Sequence, residues 1–193
     1  MTKLTTKERT RKLVLGAMFT ALVVVLQLLG SFIRFGPFSV SLVLVPIVLG
    51  AALCGAGIGA WLGFVFGITV LLSGDAAAFM SIDVFGTIVT VLLKGVLCGL
   101  LSGLAYKAFE KRNRYIAVIL SAIVCPVVNT GVFFLGCLVF FLETIAGWGA
   151  SNGFKDVASY MFLGLAGGNF IFEFLSNMIL SPVILRVLSI GKK

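Results

Sequence analysis

The feature that most limits the fold of this chain is a series of long apolar runs separated by short polar segments. The first run covers residues 13–32 and carries no charged side chain. About 20 apolar residues are enough for a helix to cross a bilayer. Only 11% of the 193 residues are charged and 60% are hydrophobic, whereas about a quarter are charged in a soluble domain. The sequence therefore predicts a helical protein whose solvent is lipid.

Six transmembrane helices account for these runs, in an all-α integral membrane protein that forms one domain over residues 1–193. The second and third spans are short, and only residues 54–57 divide them, so we expect a tight helical hairpin there. The last run is long, and its first residues are expected to lie at the outer surface. The predicted spans are 12–32, 40–55, 57–73, 84–106, 115–141 and 157–188.

The distribution of the 15 cationic residues predicts the orientation. Cytoplasmic loops of membrane proteins carry an excess of Lys and Arg. With both termini in the cytoplasm, only Arg34, Lys94 and Lys155 fall outside the inner segments. An odd number of spans would place a basic cluster on the wrong side. The cations assigned to the inner segments are Lys3, Lys7, Arg9, Arg11, Lys12, Lys107, Lys111, Arg112, Arg114, Arg186, Lys192 and Lys193.

The outer loops predicted by this layout are residues 33–39, 74–83 and 142–156. The inner loops are shorter or simply basic, and the last outer loop contains Trp148. Two interpretations remain open. The loops either cover a binding site or are simply exposed to solvent, as most loops are.

The composition argues against an enzyme, a metal site or a bound cofactor. The chain has no histidine, and none of its four cysteines belongs to a CxxC pair. Hydrolysis or group transfer would therefore lack its usual nucleophile and base, and a metal would lack its usual ligands. A self-sufficient secondary transporter is also disfavoured, because such folds usually contain two repeated halves and no repeat is evident.

Small residues recur at helical spacing in several spans, as in Gly63-x-x-x-Gly67. Such rows allow helix backbones to approach closely, which is how helices associate in lipid. The first span carries Ala17-x-x-x-Ala21 near its cytoplasmic end. This motif is consistent either with packing inside the chain or with docking of a separate membrane partner.

Polar side chains inside the spans are the strongest indication of a site. Ionisable groups are costly in the hydrocarbon region and usually face a cavity or a partner. Lys94 lies in the middle of the fourth span. Asn169 and Glu173 share one face of the last span, because they are four residues apart. Asn129 and Thr130 lie in the middle of the fifth span.

Two arrangements of these groups are open, and they are compatible with each other. Lys94 and Glu173 form an ion pair that ties two helices together, or the polar groups line a cavity for a small polar or anionic solute. Aromatic residues would supply its apolar walls, although aromatics at helix ends are often interface anchors. The candidate substrate-binding residues are Lys94, Asn129, Thr130, Asn169, Glu173, Trp61, Phe79 and Trp148.

The six-span layout, the Ala17 and Ala21 motif, the short helices around residues 45–50 and the polar last helix resemble one known family. They are similar to the S components, the substrate-binding membrane subunits, of energy-coupling factor (ECF) vitamin transporters. The resemblance implies a subunit of the bacterial plasma membrane that binds a water-soluble vitamin near its outer face. It also implies a transmembrane coupling subunit, for which Ala17 and Ala21 would be the docking face, and two cytoplasmic ATPases.

The ligand is suggested by shorter stretches of the sequence. Residues 73–79, Phe85-Gly86-Thr87 and Lys94-Gly95 are most similar to S components for pantothenate. Riboflavin is the alternative, since 18 phenylalanines could surround its ring system. A small channel or a structural subunit, with an internal Lys94 and Glu173 pair, is an alternative of a different class.

Overall fold

A computed structural model of the chain describes residues 6–31, 34–35, 38–39 and 42–190. Lys3, Lys192, Lys193, residue 32 of the first predicted span and residues 40–41 of the second lie outside this part. The α-helices within it are α1 (Thr6–Gly30), α2 (Leu44–Cys54), α3 (Ala56–Leu72), α4 (Ala77–Met80), α5 (Val84–Phe109), α6 (Arg114–Phe140), α7 (Leu142–Ser151), α8 (Val157–Ser159) and α9 (Gly167–Ile190). A π-helix at Tyr160–Leu165 precedes α9, and the strands β1 (Arg34–Phe35) and β2 (Phe38–Ser39) pair antiparallel.

Three of the described helices, α1, α5 and α6, are long and apolar enough to cross a membrane. A fourth span is present if Val157–Leu165 and Gly167–Ile184, which meet at a 49° bend, form one crossing. The helices α2 and α3 are apolar but have only 11 and 17 residues. The predicted all-helical class is confirmed, and these helices indicate a multi-pass membrane protein. The count of six spans and the cytoplasmic termini stay predictions.

The hairpin between α2 and α3 turns on one residue. Gly55 lies between Cys54 and Ala56 with a φ of +103°, a conformation that glycine adopts readily and other residues do not. This glycine falls within the divider predicted at residues 54–57.

The helices α3 and α5 touch through their backbones. A Cβ atom added to Gly63 would collide with the carbonyl oxygen of Gly95, and one added to Gly95 would collide with that of Gly63. Gly59 and Gly99 have the same reciprocal relationship one turn further along. The glycine rows therefore bring the two backbones together, as small residues do at membrane helix contacts.

Two predicted outer loops contain short helices. The loop at 74–83 includes α4, and the loop at 142–156 includes α7. The third, at 33–39, is described only at 34–35 and 38–39. The buried Phe79 of α4 and Phe141, next to α7, belong to an apolar cluster with Ile145 and Tyr160. The segments predicted to lie outside thus share an apolar cluster with the end of α6.

Candidate functional site

A cavity of about 60 Å³ lies where α1, α3, α4, α5, α6 and α9 meet. Its walls combine four phenylalanine rings with seven polar or charged side chains, so the lining is more polar than that of most small-molecule sites. The lining residues are Gln27, Phe66, Val70, Asp75, Ala76, Phe79, Thr87, Thr90, Val91, Lys94, Phe133, Phe141, Asn169 and Glu173.

Lys94 brings a positive charge into this cavity. Its Nζ atom lies 5.4 Å from the ring centroid of Phe133 and 5.8 Å from that of Phe66. Attraction to the two rings offsets part of the cost of removing the ammonium from water, by about 0.5–2 kcal/mol. Among residues 6–31, 34–35, 38–39 and 42–190, Lys94 has no hydrogen-bond or ion-pair partner. An ammonium in this position favours an anion as its ligand.

Glu173 is 1% exposed, and each of its carboxylate oxygens accepts a hydrogen bond from an amide. Asn129 Nδ2 donates to Oε2 and Asn169 Nδ2 donates to Oε1, both at 3.2 Å. Asn177 Nδ2 donates to the backbone oxygen of Glu173 at 2.9 Å. The carboxylate is therefore bound by neutral groups, and a direct ion pair with Lys94 is absent from the described structure.

Several buried oxygen atoms in or beside the cavity have no hydrogen-bond partner within the described part of the chain. Among them are Thr90 Oγ1, Asn169 Oδ1 and Asn129 Oδ1. Thr90 and Asn169 line the cavity directly. Buried polar atoms in proteins are nearly always hydrogen-bonded. A solute or water in the cavity would satisfy these atoms.

Gln27 and Asp75 line the cavity and were not predicted from the sequence. Gln27 Nε2 donates a hydrogen bond of 2.7 Å to Asp75 Oδ2, and Ser73 Oγ donates one of 3.0 Å to the same oxygen. Gln27 is 1% exposed. A buried amide in an otherwise apolar run has the same signal as Lys94, in weaker form, because it also needs a polar partner.

Phe79 forms part of the aromatic wall. Its ring packs edge to face against Phe133, Phe141 and Trp148, with centroids 5.7, 5.1 and 5.5 Å away. Phe133 and Phe141 line the cavity with it, whereas Trp148 does not. Trp148, a predicted substrate-binding residue, instead packs against the Phe79 ring and does not line the cavity.

Three other predicted site residues do not line this cavity. Asn129 is near it only through its bond to Glu173. Thr130 lines a separate apolar crevice of about 380 Å³ with Phe134 and Phe162. Consecutive residues point about 100° apart around a helix, so Thr130 cannot share the direction of Asn129.

Trp61 lies on another surface, beside the alanine motif. It is 50% exposed, and its Nε1 donates a hydrogen bond of 3.2 Å to Thr20 Oγ1. With Ala17, Ala21 and Ile58 it lines an open groove between α1 and α3. Both alanines are exposed in the described structure, so this groove is accessible from outside the chain.

Apolar helices around a polar cavity define a multi-pass membrane protein with a candidate solute site. A family model described as "ECF transporter, substrate-specific component" matches residues 11–189. The chain therefore belongs to this family, which confirms the family resemblance. Its members are substrate-binding transporter subunits, not enzymes, so the channel and structural alternatives are set aside. The comparisons with curated proteins and with solved structures each gave no match.

Proposed function

We propose that this subunit binds a small water-soluble vitamin bearing a carboxylate, with pantothenate as the first candidate, for uptake by an ATP-driven ECF transporter. One observation carries this proposal. The ammonium of Lys94 faces a cavity and has no hydrogen bond or ion pair to any described residue. A ligand carboxylate would form a charge-assisted hydrogen bond with it.

The other polar atoms of the cavity suit the rest of such a molecule. Asn169 Oδ1 is an acceptor without a partner among the described residues, and Thr90 Oγ1 is both donor and acceptor. Pantothenate carries hydroxyls and an amide in addition to its carboxylate. Its hydroxyl or amide hydrogen would pair with Asn169, and either type of group would pair with Thr90.

The size of the cavity indicates a closed form. A water molecule needs about 10–15 Å³, so a cavity of about 60 Å³ has room for only a few waters. A vitamin is larger, and binding therefore requires part of the wall to move. We assign this movement to the segment with Asp75, Ala76 and Phe79, because α4 has only 4 residues whereas the walls on α3 and α5 belong to long helices.

Riboflavin is the second candidate, and the aromatic wall favours it. Phe66, Phe79, Phe133 and Phe141 all line the cavity, and aromatic rings pack well against one another. Riboflavin has no carboxylate, so its binding would leave Lys94 with its two ring contacts only.

The proposed partners are a transmembrane coupling subunit and two cytoplasmic ATPases, as the family resemblance implies. Exposure of Ala17 and Ala21 supports their role as the docking face for the coupling subunit, since small residues allow close helix approach in lipid. The proposed topology has six crossings and both termini in the cytoplasm of a bacterial cell.

The test is to purify the protein in detergent and identify co-purifying small molecules by mass spectrometry. Titration calorimetry with pantothenate and with riboflavin follows on the ligand-free protein. We expect pantothenate to co-purify with wild type but not with Lys94→Gln. Riboflavin in place of pantothenate would establish the second candidate, and a protein that binds neither would contradict the proposed ligands.

A further inference from the structure

The hydroxyl of Thr90 differs from those of three other helical threonines. Thr20, Thr69 and Thr87 each donate a hydrogen bond to the backbone oxygen four residues earlier, at 2.8, 2.8 and 2.6 Å. A threonine in a helix commonly forms this bond, because its Oγ1 atom can reach that oxygen. Thr90 is 4% exposed and lines the cavity, yet its Oγ1 has no hydrogen-bond partner among the described residues. Its side chain is therefore turned away from the bond that its own helix offers.

The neighbouring helix α6 makes room for this arrangement. A Cβ atom added to Gly136 would collide with both Oγ1 and Cγ2 of Thr90. The Thr90 side chain thus occupies the space that a larger residue at position 136 would fill. A threonine has few staggered arrangements inside a helix, so the missing side chain at Gly136 allows the one in which Thr90 does not bond to the Gly86 carbonyl.

A second hydroxyl between the same two helices has a different kind of neighbour. Ser102 Oγ of α5 and Ser121 Oγ of α6 lie 2.8 Å apart, so each hydroxyl is the partner of the other. The α6 residue against Thr90 is Gly136, which has no side chain that could pair with it. A hydroxyl both donates and accepts hydrogen bonds, so a hydroxyl of the solute can be this partner in either direction of the bond.

We infer that Thr90 is a specificity-determining residue that pairs with a hydroxyl of the solute while Lys94 binds its anionic group. Both residues line the cavity, and they share one face of α5 because they are four residues apart. Gly136 is then a positioning residue, since it acts through Thr90. The inference rests on the proposed function and narrows it. The solute is a hydroxylated carboxylate, and a carboxylate of similar size without hydroxyls binds less tightly, because it leaves a buried hydroxyl without a partner.

The experiment measures the affinity of wild type and Thr90→Val for two probes by titration calorimetry. One probe is pantothenate, and the other is its analogue with both hydroxyls replaced by hydrogen. A buried hydroxyl without a partner changes affinity by about 5- to 100-fold. We expect the preference for pantothenate over the analogue to fall by a factor in this range in Thr90→Val. The affinity for the analogue should increase or change by less than about threefold, because an apolar group then meets an apolar side chain.

Thr90→Ser and Thr69→Val are the controls for this change. Thr90→Ser keeps a hydroxyl at the position, so it should retain more of the preference than Thr90→Val does. Thr69 is as deeply buried as Thr90, at 5% exposure, but its hydroxyl is bound to a backbone oxygen and it does not line the cavity. We expect Thr69→Val to bind both probes like wild type.

Gly136→Ala keeps the Thr90 hydroxyl and removes the space beside it. The added methyl group should turn the hydroxyl towards the Gly86 carbonyl, so we expect this variant to lose the preference for pantothenate as Thr90→Val does. Lower stability alone would reduce the number of binding sites and leave the ratio of the two affinities unchanged. Gly131→Ala makes the same change in α6 where the added Cβ meets no atom within 4 Å, and it should keep the wild-type preference.

The outcomes separate the inference from the proposed function. An unchanged preference in Thr90→Val, or an equal loss of affinity for both probes, would overturn the role of Thr90 and leave the proposed function standing. An unchanged preference in Gly136→Ala would overturn its positioning role. Failure of wild type to bind pantothenate would overturn the proposed ligand and the inference together.

Discussion

Asn129 Nδ2 and Glu173 Oε2 are joined by a hydrogen bond of 3.2 Å across 44 residues of sequence. This bond connects α6 to α9. Asn169 of α9 donates a second hydrogen bond, to the other carboxylate oxygen of Glu173. All of its atoms lie in an apolar interior, where an unpaired polar group is costly. Glu173 is therefore the acceptor that both buried amides, Asn129 and Asn169, require.

Replacing Glu173 with alanine should destabilise the protein. The amides of Asn129 and Asn169 would lose their acceptor, and each buried unpaired group costs about 1–3 kcal/mol. We expect a clear fall in the apparent melting temperature in detergent, followed by tryptophan fluorescence, and a smaller fall for Glu173→Gln. Glu143→Ala, on the exposed side of α7, is the control and should melt like wild type. Equal apparent melting temperatures for wild type and all three variants would contradict the role given to Glu173.

Lys94→Met should abolish ligand binding without unfolding the protein. Removing one partner of a buried charged pair weakens binding by about 100-fold or more, whereas the empty protein loses only two ring contacts and a desolvated charge. Calorimetry measures the affinity, and size-exclusion chromatography in detergent reports the fold. Lys107→Met, an exposed cation at the end of the same helix, should bind normally. Unchanged affinity in Lys94→Met would remove Lys94 from the site.

Ala17→Phe and Ala21→Phe should block transport and leave binding intact. A bulky side chain prevents the close approach that small residues permit, so we expect cellular uptake to fall about tenfold or more. Val25→Phe is the control, because Val25 is 51% exposed on the same helix and lies outside the groove. If Ala17→Phe and Ala21→Phe also lost ligand affinity, the motif would serve internal packing instead of docking.

Gly63→Ala should weaken the contact between α3 and α5. The added methyl group meets the Gly95 carbonyl, and overpacking of this kind costs about 1–3 kcal/mol. We expect a lower apparent melting temperature together with weaker ligand binding. Gly57→Ala, in the same helix but with open space around the added Cβ, should be neutral or slightly stabilising. The two variants make the same chemical change, so a similar effect would disprove the contact.

The helical class could be predicted from the sequence, because a long apolar run in lipid has few structures other than a helix that satisfy its backbone hydrogen bonds. The polar residues Lys94, Asn169 and Glu173 were selected because they are costly in the hydrocarbon region, and the structure places all three at one cavity. The third predicted span, 57–73, agrees with α3 to within one residue at each end. The second, 40–55, extends beyond α2, because the apolar run continues past the residues that are helical.

The remaining site residues depend on geometry that a single sequence does not contain. Thr130 and Trp61 have suitable chemistry, but their direction around the helix axis places them on other surfaces. Gln27 and Asp75 contact each other across 48 residues. Gln27 has only a weak signal as an amide in an apolar run, and a carboxylate such as Asp75 is ordinary in a predicted loop. Only the packing of α1 against the segment after α3 reveals that they meet.

The backbone contact between Gly63 and Gly95 has a consequence for how such a subunit could change its ligand during evolution. Phe66 follows Gly63 by less than one helical turn, and Lys94 is the immediate neighbour of Gly95, so the spacing of ring and ammonium is set by main-chain atoms. Substitutions at Gly63 or Gly95 would disturb this contact and with it the relative position of Phe66 and Lys94. We therefore expect new selectivity to arise on the walls formed by α4, α6 and α9, while the contact that positions Lys94 is kept.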